Sequence, residues 1–303
     1  MLATILQDVV NGTSAGLCYA LVAIGFTLIF GVLNAVNFAH GEVYMLGAFA
    51  GLFTALAFAP PLAVVVLVTA AVGAALGVGL ERLAFRPLRR ARDEASLKSR
   101  ALREASLLSS LAVGIVVREL AEIAFGGDMQ QIPDSLMINT PIPWGDVLFA
   151  SGDFIIFGVA CVTLAALQWL LRRTRIGLSI RAVSDDLIGA LYAGVDADRV
   201  IVWTFAIGSA IGAVAGLLVG LYYGVITPYM GFTPTLKAFV AMLMGGLTSI
   251  PGAVICALLI GLCESFTTEF ISSRWVGVVP YVLLLITLIC FPGGLFGRRA
   301  ERV

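Results

Sequence analysis

Residues 16–52 read GLCYALVAIGFTLIFGVLNAVNFAHGEVYMLGAFAGL. A long apolar run is broken once, by Asn34, Asn37, His40, Gly41 and Glu42, and then resumes. Hydrocarbon offers no hydrogen-bond partner to loose backbone or bare polar side chains, so such a break has to face protein or a wet cavity. The break is therefore a candidate pathway segment, and it holds His40, the single histidine of the chain.

Composition agrees with a membrane setting. The 303 residues are 60% hydrophobic and 13% charged, with a mean hydropathy of +1.01. Soluble domains carry about 25% charged residues. The chain reads as an all-α polytopic membrane protein in contact with the lipid bilayer. A net charge of zero gives no pointer to nucleic acid, and none is expected as a partner. The opening MLATILQDVV carries an acid and no base, unlike the first region of a cleavable signal. Cys18, Cys161, Cys256, Cys263 and Cys290 lie in apolar stretches, without a C-x-x-C pair or a histidine at ligand spacing. They read as small buried hydrophobes; no metal, cofactor or required disulfide is expected.

A membrane helix needs about 20 apolar residues. Runs of that kind fall near 9–33, 43–59, 62–85, 107–125, 154–171, 200–223, 252–270 and 276–291, with a shorter one near 236–247. Pro60-Pro61 separates the second from the third. Basic residues crowd three segments: Arg82, Arg86, Arg89, Arg90, Arg92, Lys98, Arg100 and Arg103; then Arg172, Arg173, Arg175, Arg181 and Arg199; then Arg298, Arg299 and Arg302. All three are expected on the cytoplasmic side. The connector 126–153 carries Asp128, Asp134, Asp146 and Asp153 and no Lys or Arg, and is expected outside. The N-terminus is then outside and the C-terminus inside, which requires an odd number of crossings: nine if 236–247 crosses.

The two halves share a plan. In the second, GLLVGLYYGVITPYMGFTPTLKAFVAMLMGG (216–246) again breaks an apolar run, at Thr227-Pro228 to Pro234. Paired interrupted segments in corresponding halves point to a midplane pathway between repeats. About eight to nine helices in two loosely repeated halves, interrupted near the midplane, are expected, in one transmembrane domain over 1–303.

No catalytic apparatus is visible. One histidine excludes multi-histidine metal sites, and no G-x-x-x-x-G-K-[ST] loop is present to bind ATP. What is left is a transporter, a channel or a structural subunit. The connector 174–198 reads TRIGLSIRAVSDDLIGALYAGVDAD. Ser184 and Asp185 can cap a helix of about ten residues there, and Gly194 can end it. Its apolar positions Leu187, Ile188, Leu191 and Tyr192 suit docking into a partner's groove or lying in the lipid interface.

NFAHGEVYMLGAF (37–49), RIGLSIRAVSDD with ALYAGVDADRV (175–186 and 190–200), GLYYGVITPYMGF with LKAFVAMLMGGLTSIPGA (220–232 and 236–253) and FPGGLFG (291–297) resemble the branched-chain amino-acid ABC transporter permease family, LivH type. The resemblance spans nearly the whole chain. It implies an inner-membrane subunit with a second homologous permease subunit, two cytoplasmic ATPase subunits and an extracytoplasmic solute-binding protein. It also implies that the 174–198 loop is the element docking on an ATPase, with Arg181, Ser184, Asp185, Asp186, Ala190 and Gly194 as coupling residues. Urea-importer permeases resemble the same family closely. Two segments depart from the pattern. ARDEASLKSRALREAS (91–106) extends the basic loop 86–106, and VVRELAEIAFG (116–126) places Arg118, Glu119 and Glu122 in the fourth run. Arg118 and Glu122 stand at i,i+4 and can pair there, or can contact the partner permease or the mouth of the route.

The candidate pathway set is Asn37, Phe38, His40, Gly41, Glu42, Phe232 and Lys237. Two readings are open for His40: a packing or capping residue, or a solute contact. Glu42 can offset the dipole of the second helix. Asn37 can satisfy broken backbone or an amino group. Phe38 and Phe232 can line a passage or simply pack. Lys237 stands alone in an apolar segment, as a pathway residue or as a cation snorkelling to the headgroups. Gly208, Gly212 and Gly216 permit close helix approach. The chain thus reads as the permease subunit of an ATP-driven importer of branched-chain or related amino acids. The rivals are a urea or short-amide importer, a stand-alone secondary transporter or channel, and a scaffold.

Overall fold

The structure is a computed structural model that describes residues 1–90, 100–133, 136–138, 140–144 and 147–297. The candidate topology charges Arg92, Lys98, Asp134, Asp146, Arg298, Arg299 and Arg302, and residues 91–99 of the extended basic loop, lie outside them.

α1 (Leu2–Leu33) is 32 residues long, about 48 Å at 1.5 Å per residue and longer than a bilayer's hydrocarbon core. It ends where Asn34 turns left-handed (φ 52°) and donates its N–H to the Phe30 carbonyl at 2.7 Å; asparagine tolerates that conformation better than most residues. α2 (His40–Phe58) follows, then α3 (Leu62–Leu80), which runs through a π-helical turn (Glu81–Phe85) into α4 (Arg86–Arg90). α5 (Arg100–Phe125) starts seven residues earlier than the apolar run and takes in the end of the extended loop. Beyond it, short strands β1 (Gln130–Gln131), β2 (Pro141–Trp144) and β3 (Val147–Ala150) occupy the acidic connector.

α6 (Ser151–Arg173) leads to two short helices, α7 (Arg175–Asp185) and α8 (Leu187–Tyr192). α9 (Ala197–Tyr223) closes at Gly224 (φ 73°), followed by strand β4 (Val225–Ile226), which pairs antiparallel with β1. α10 (Phe232–Gly245), α11 (Ile250–Phe270) and α12 (Val279–Cys290) complete the chain. Ser249 caps α11 by accepting from the Gly252 N–H, and Pro251 sits in its first turn, where a missing N–H does no harm. Among the described residues six helices are long and apolar enough to cross a membrane, and α10 and α12 are shorter apolar helices.

α1 and α9 form the centre. Each is buried over 78% of its most apolar stretch, against 17% for α6. They run antiparallel, since residues 11–19 of α1 share one cavity with 219–223 of α9 while 32–35 share another with 197–201. α1 packs along α11 and crosses α10, whereas α9 packs along α3 and crosses α2. Exchanging α1 with α9, α2 with α10 and α3 with α11 maps one set of packings onto the other. The two halves are thus inverted copies of one plan, each central helix gripping the flanking helices of the opposite half. Of the cysteines, Cys18 and Cys256 are buried and Cys263 half-buried, but Cys161 and Cys290 lie on the outer surface of the bundle, where an apolar side chain needs no burial in lipid.

Candidate functional site

The break after α1 brings the interrupted elements of both halves together. The first turn of α2 abuts that of α10: a Cβ on Gly231 would overlap the Gly41 carbonyl, and one on Gly41 would overlap the Thr235 hydroxyl. Two helix N-termini, one from each half, therefore meet backbone to backbone. His40, fully buried, fills a slot between the central helices. A Cβ on Gly25 of α1 would stand 2.6 Å from its Nε2, and one on Gly212 of α9 2.8 Å. Phe26 meets the imidazole edge-on at 4.9 Å, Phe239 lies 6.3 Å from Phe26, and Phe38 lies 5.7 Å from Phe239.

The polar groups of the break are poorly satisfied. Both amide atoms of Asn37, both ring nitrogens of His40 and the hydroxyl of Thr235 are buried without a hydrogen-bond partner; the Val22 carbonyl faces the imidazole outside ordinary hydrogen-bond geometry. Each such group costs about 1–3 kcal/mol where no partner reaches it. The break is anchored through Ser110, whose Oγ accepts from the Phe38 N–H at 3.2 Å and donates to the Val36 carbonyl at 3.5 Å, and by the His40 N–H, which donates to the Asn37 carbonyl at 3.2 Å.

Cavities lie on either side. One of about 440 Å³ opens at the end carrying the short helices, between Val32 and Leu33 of α1, Arg103 and Ser106 of α5, and Leu187 and Leu191 of α8. Another, of about 270 Å³, lies at the opposite end, bordered by Ser14, Cys18, Tyr19, Tyr44, Tyr222 and Pro234. Between Tyr19 and Val32, about 20 Å of α1, the core is closed by Leu21, Ile24, Phe26 and Ile29 around His40.

Charged residues depart from the sequence reading in three places. Lys237 neither stands alone nor snorkels: its Nζ lies 2.8 Å from Glu264 Oε1 and donates to the Tyr19 hydroxyl at 2.9 Å, with the Tyr19 ring 4.8 Å away. The pair is nearly buried, at 12% and 7% exposure, and so answers its own charge inside the protein. Glu264 was not singled out because its partner is on the preceding helix, beyond any local spacing. Arg118 and Glu122 do not pair. Arg118 lies 3.6 Å from Glu119 and over the Tyr229 ring, while Glu122 accepts from the Tyr229 hydroxyl at 2.5 Å. Arg89, placed by the sequence in the basic loop 86–106, is buried. It pairs with Glu81, which is fully buried in the π-helical turn, and at 3.2 Å with Asp198 at the start of α9.

Glu42 does lie in the first turn of α2; it is half-buried at a groove between α2, α3 and α5 lined by Leu46, Leu76 and Val113. Phe232 is the first residue of α10 and 59% exposed, outside the aromatic cluster that holds Phe38.

The connector folds as two helices where one was expected. Thr174, accepting from the Gly177 N–H at 3.0 Å, caps α7, so Ser184 and Asp185 stand at the end of that helix and not at the start of one. Asp186 is extended (φ −149°) and caps α8 by accepting from the Ile188 N–H at 3.2 Å. Gly194 ends the segment at φ 80°, as its place in the sequence suggested. Arg181, Ser184, Asp185, Asp186 and Gly194 face outward, with Ile188 45% and Tyr192 90% exposed; Ala190 is buried beneath them.

The sequence matches, over residues 9–288, the family described as branched-chain amino acid transport system / permease component. The high-affinity branched-chain amino acid transport system permease protein LivH of Salmonella typhimurium is 35% identical over 98% of this chain and 97% of its own length. LivH of Escherichia coli K12 is 34% identical with the same coverage, and BraD of Pseudomonas aeruginosa 34% identical over 98% of each chain. Among solved structures, PsaBC from Streptococcus pneumoniae in complex with Fab aligns over 95% of this chain and 90% of that one, at 12% identity and a TM-score of 0.41, a level that carries no argument. With an all-α apolar bundle built of inverted halves and a match covering nearly its full length, the chain belongs to the branched-chain amino acid transport permease family.

Proposed function

We propose that this chain is the membrane-spanning permease of an ATP-binding-cassette importer for branched-chain or related amino acids in a bacterial inner membrane. The observation that carries the reading is the pair of cavities at opposite ends of one bundle, closed off from each other by the interrupted helices around His40. A channel needs a continuous opening and a scaffold needs no cavities; a pump needs access that alternates. The names of the relatives supply the cargo. In this reading residues 1–303 form one permease domain. The basic ends of α3, α6 and α9 face the cytoplasm, the N-terminus lies outside, and the connector 126–153 is extracytoplasmic.

Asn37, Phe38, His40 and Gly41 form the closure between the cavities, with Glu42 at its flank. Lys237 acts through its bond to Glu264, and Phe232 faces outward to lipid or the second permease. The outward surface of α7 and α8, with Arg181, Ser184, Asp185, Asp186 and Gly194, supported by Ala190, docks on one of two ATPase subunits. Arg89, held between Glu81 and Asp198, ties the end of α3 to the start of α9, into which that segment leads. Nucleotide-driven movement of α8 would then act differently on the two access states, which any shift of an equilibrium requires.

The test is reconstitution with the cognate permease, ATPases and solute-binding protein. Uptake of labelled leucine should require ATP and exceed that of urea and glutamate. Concentrative uptake by this chain alone, without ATPases, would overturn the assignment. Asp185→Arg should insert normally yet abolish uptake; normal transport by that variant would remove α7 and α8 from coupling.

A further inference from the structure

The cavity of about 270 Å³ differs in chemistry from the groove between α2, α3 and α5. Apart from Glu42, that groove is walled by Leu, Val, Ala and Gly, as lipid contact allows, whereas Asn11, Ser14 and four tyrosines border the cavity. It joins a shallower one at the surface through two shared residues, Asn11 and Tyr222, and Asp153 borders the shallower side.

Asp153 is 7% exposed. Its Oδ1 accepts from Ser14 Oγ at 2.7 Å and from the Tyr222 hydroxyl at 3.0 Å, and its Oδ2 accepts from the Ala150 N–H at 2.9 Å. Among the described residues no cation pairs with it, although the buried Glu81 and Glu264 are each matched by Arg89 and Lys237. Asp8 also lacks a cation, but it borders neither cavity. The bonds to Asp153 and its place in the first turn of α6 hold the carboxylate charged, and a cation reaching it from the cavity would add a charge-assisted bond. The second sign is Tyr44, fully buried on the cavity wall, whose hydroxyl has no hydrogen-bond partner.

We propose that the junction of these two cavities is a subsite for the ammonium group of an amino-acid solute. Asp153 is its counter-charge, Ser14 and Tyr222 aim that carboxylate, and the Tyr44 hydroxyl is a further polar contact on the inner wall. The proposal rests on the importer reading and narrows it, because urea and neutral amides carry no ammonium group and gain nothing from Asp153.

The test uses the assembled transporter in vesicles without binding protein. The native cysteines are replaced by alanine, and Asn11→Cys, at the cavity rim, serves as a maleimide reporter. Leucine and isoamylamine should slow labelling, whereas 4-methylpentanoate and urea should not. Asp153→Asn should raise the half-protecting concentration about tenfold, as loss of a charge-assisted hydrogen bond implies. Tyr44→Phe, which removes a hydroxyl that bonds nothing, should raise it by a smaller factor without affecting assembly. Protection by 4-methylpentanoate equal to that by isoamylamine, protection unchanged in Asp153→Asn, or no protection by any of the four would overturn the subsite. The amine-against-acid comparison leaves Asp153, Ser14, Tyr222 and Tyr44 in place, so it decides the matter even if Asp153→Asn fails to assemble. ATP-driven leucine uptake by the complete complex is measured in parallel: uptake without protection sinks the subsite alone, and no uptake sinks the importer reading.

Discussion

Lys237 and Glu264 show what a charge inside an apolar bundle requires. Removing one partner strands the other, which costs about 3–5 kcal/mol, whereas replacing both by apolar residues of similar volume is often neutral. Lys237→Met should therefore lower thermal stability in detergent markedly, and Lys237→Met with Glu264→Leu should restore most of it; equal losses in the single and double variants would show that the pair does not hold α10 to α11. His40 occupies a slot that two glycines leave open, so His40→Ala opens a void worth about 2–4 kcal/mol. The expected result is a lower melting temperature with uptake reduced by less than an order of magnitude; complete loss of uptake at unchanged stability would make the imidazole a solute contact. At this scale the sequence was legible where a residue type was rare, as with His40 and Lys237. It was silent on partners, because Glu264, Glu81 and Asp153 meet theirs through packing of distant helices.

Among the elements, the break 34–39 and the short helical connector 174–198 could be read directly, since a polar interruption in an apolar run has few structural solutions. The internal division of that segment could not. Ser184, Asp185 and Asp186 stand in a row as possible caps, and only the burial of Ile180 and Val183 against the bundle carries α7 through to Asp185 and leaves the cap to Asp186. Asp186→Ala should thus cost α8 about 1 kcal/mol, visible as faster amide exchange over 187–192. Tyr192, 90% exposed on so short a helix, is a candidate anchor for a partner's groove. Tyr192→Asp should leave ATP hydrolysis by the assembled complex intact and abolish leucine uptake; coupled transport at the parent rate would place the contact elsewhere. The π-helical turn at Glu81–Phe85 had no warning in the sequence beyond an acid among arginines, and Glu81 at its start meets Arg89 eight residues on.

In the whole molecule the repeat was faint as identity and plain as a plan, because what the two halves share is where the helices stop. In the proposed route the closure lies where those stops meet. Linking Phe38→Cys to Phe239→Cys with a short bifunctional thiol reagent should arrest uptake reversibly, release following reduction; undiminished transport in the linked protein would mean that α2 and α10 need not part.

The meeting of Gly41 and Gly231 has a mechanical consequence. Each half contributes one helix N-terminus to this contact, and in the proposed importer the contact serves both halves as a common pivot. If the halves trade postures, whatever opening one of them makes toward the outside becomes an opening toward the inside. Such a device needs only one strained shape, worn by either copy in turn, and a small outside push is enough to decide which copy wears it.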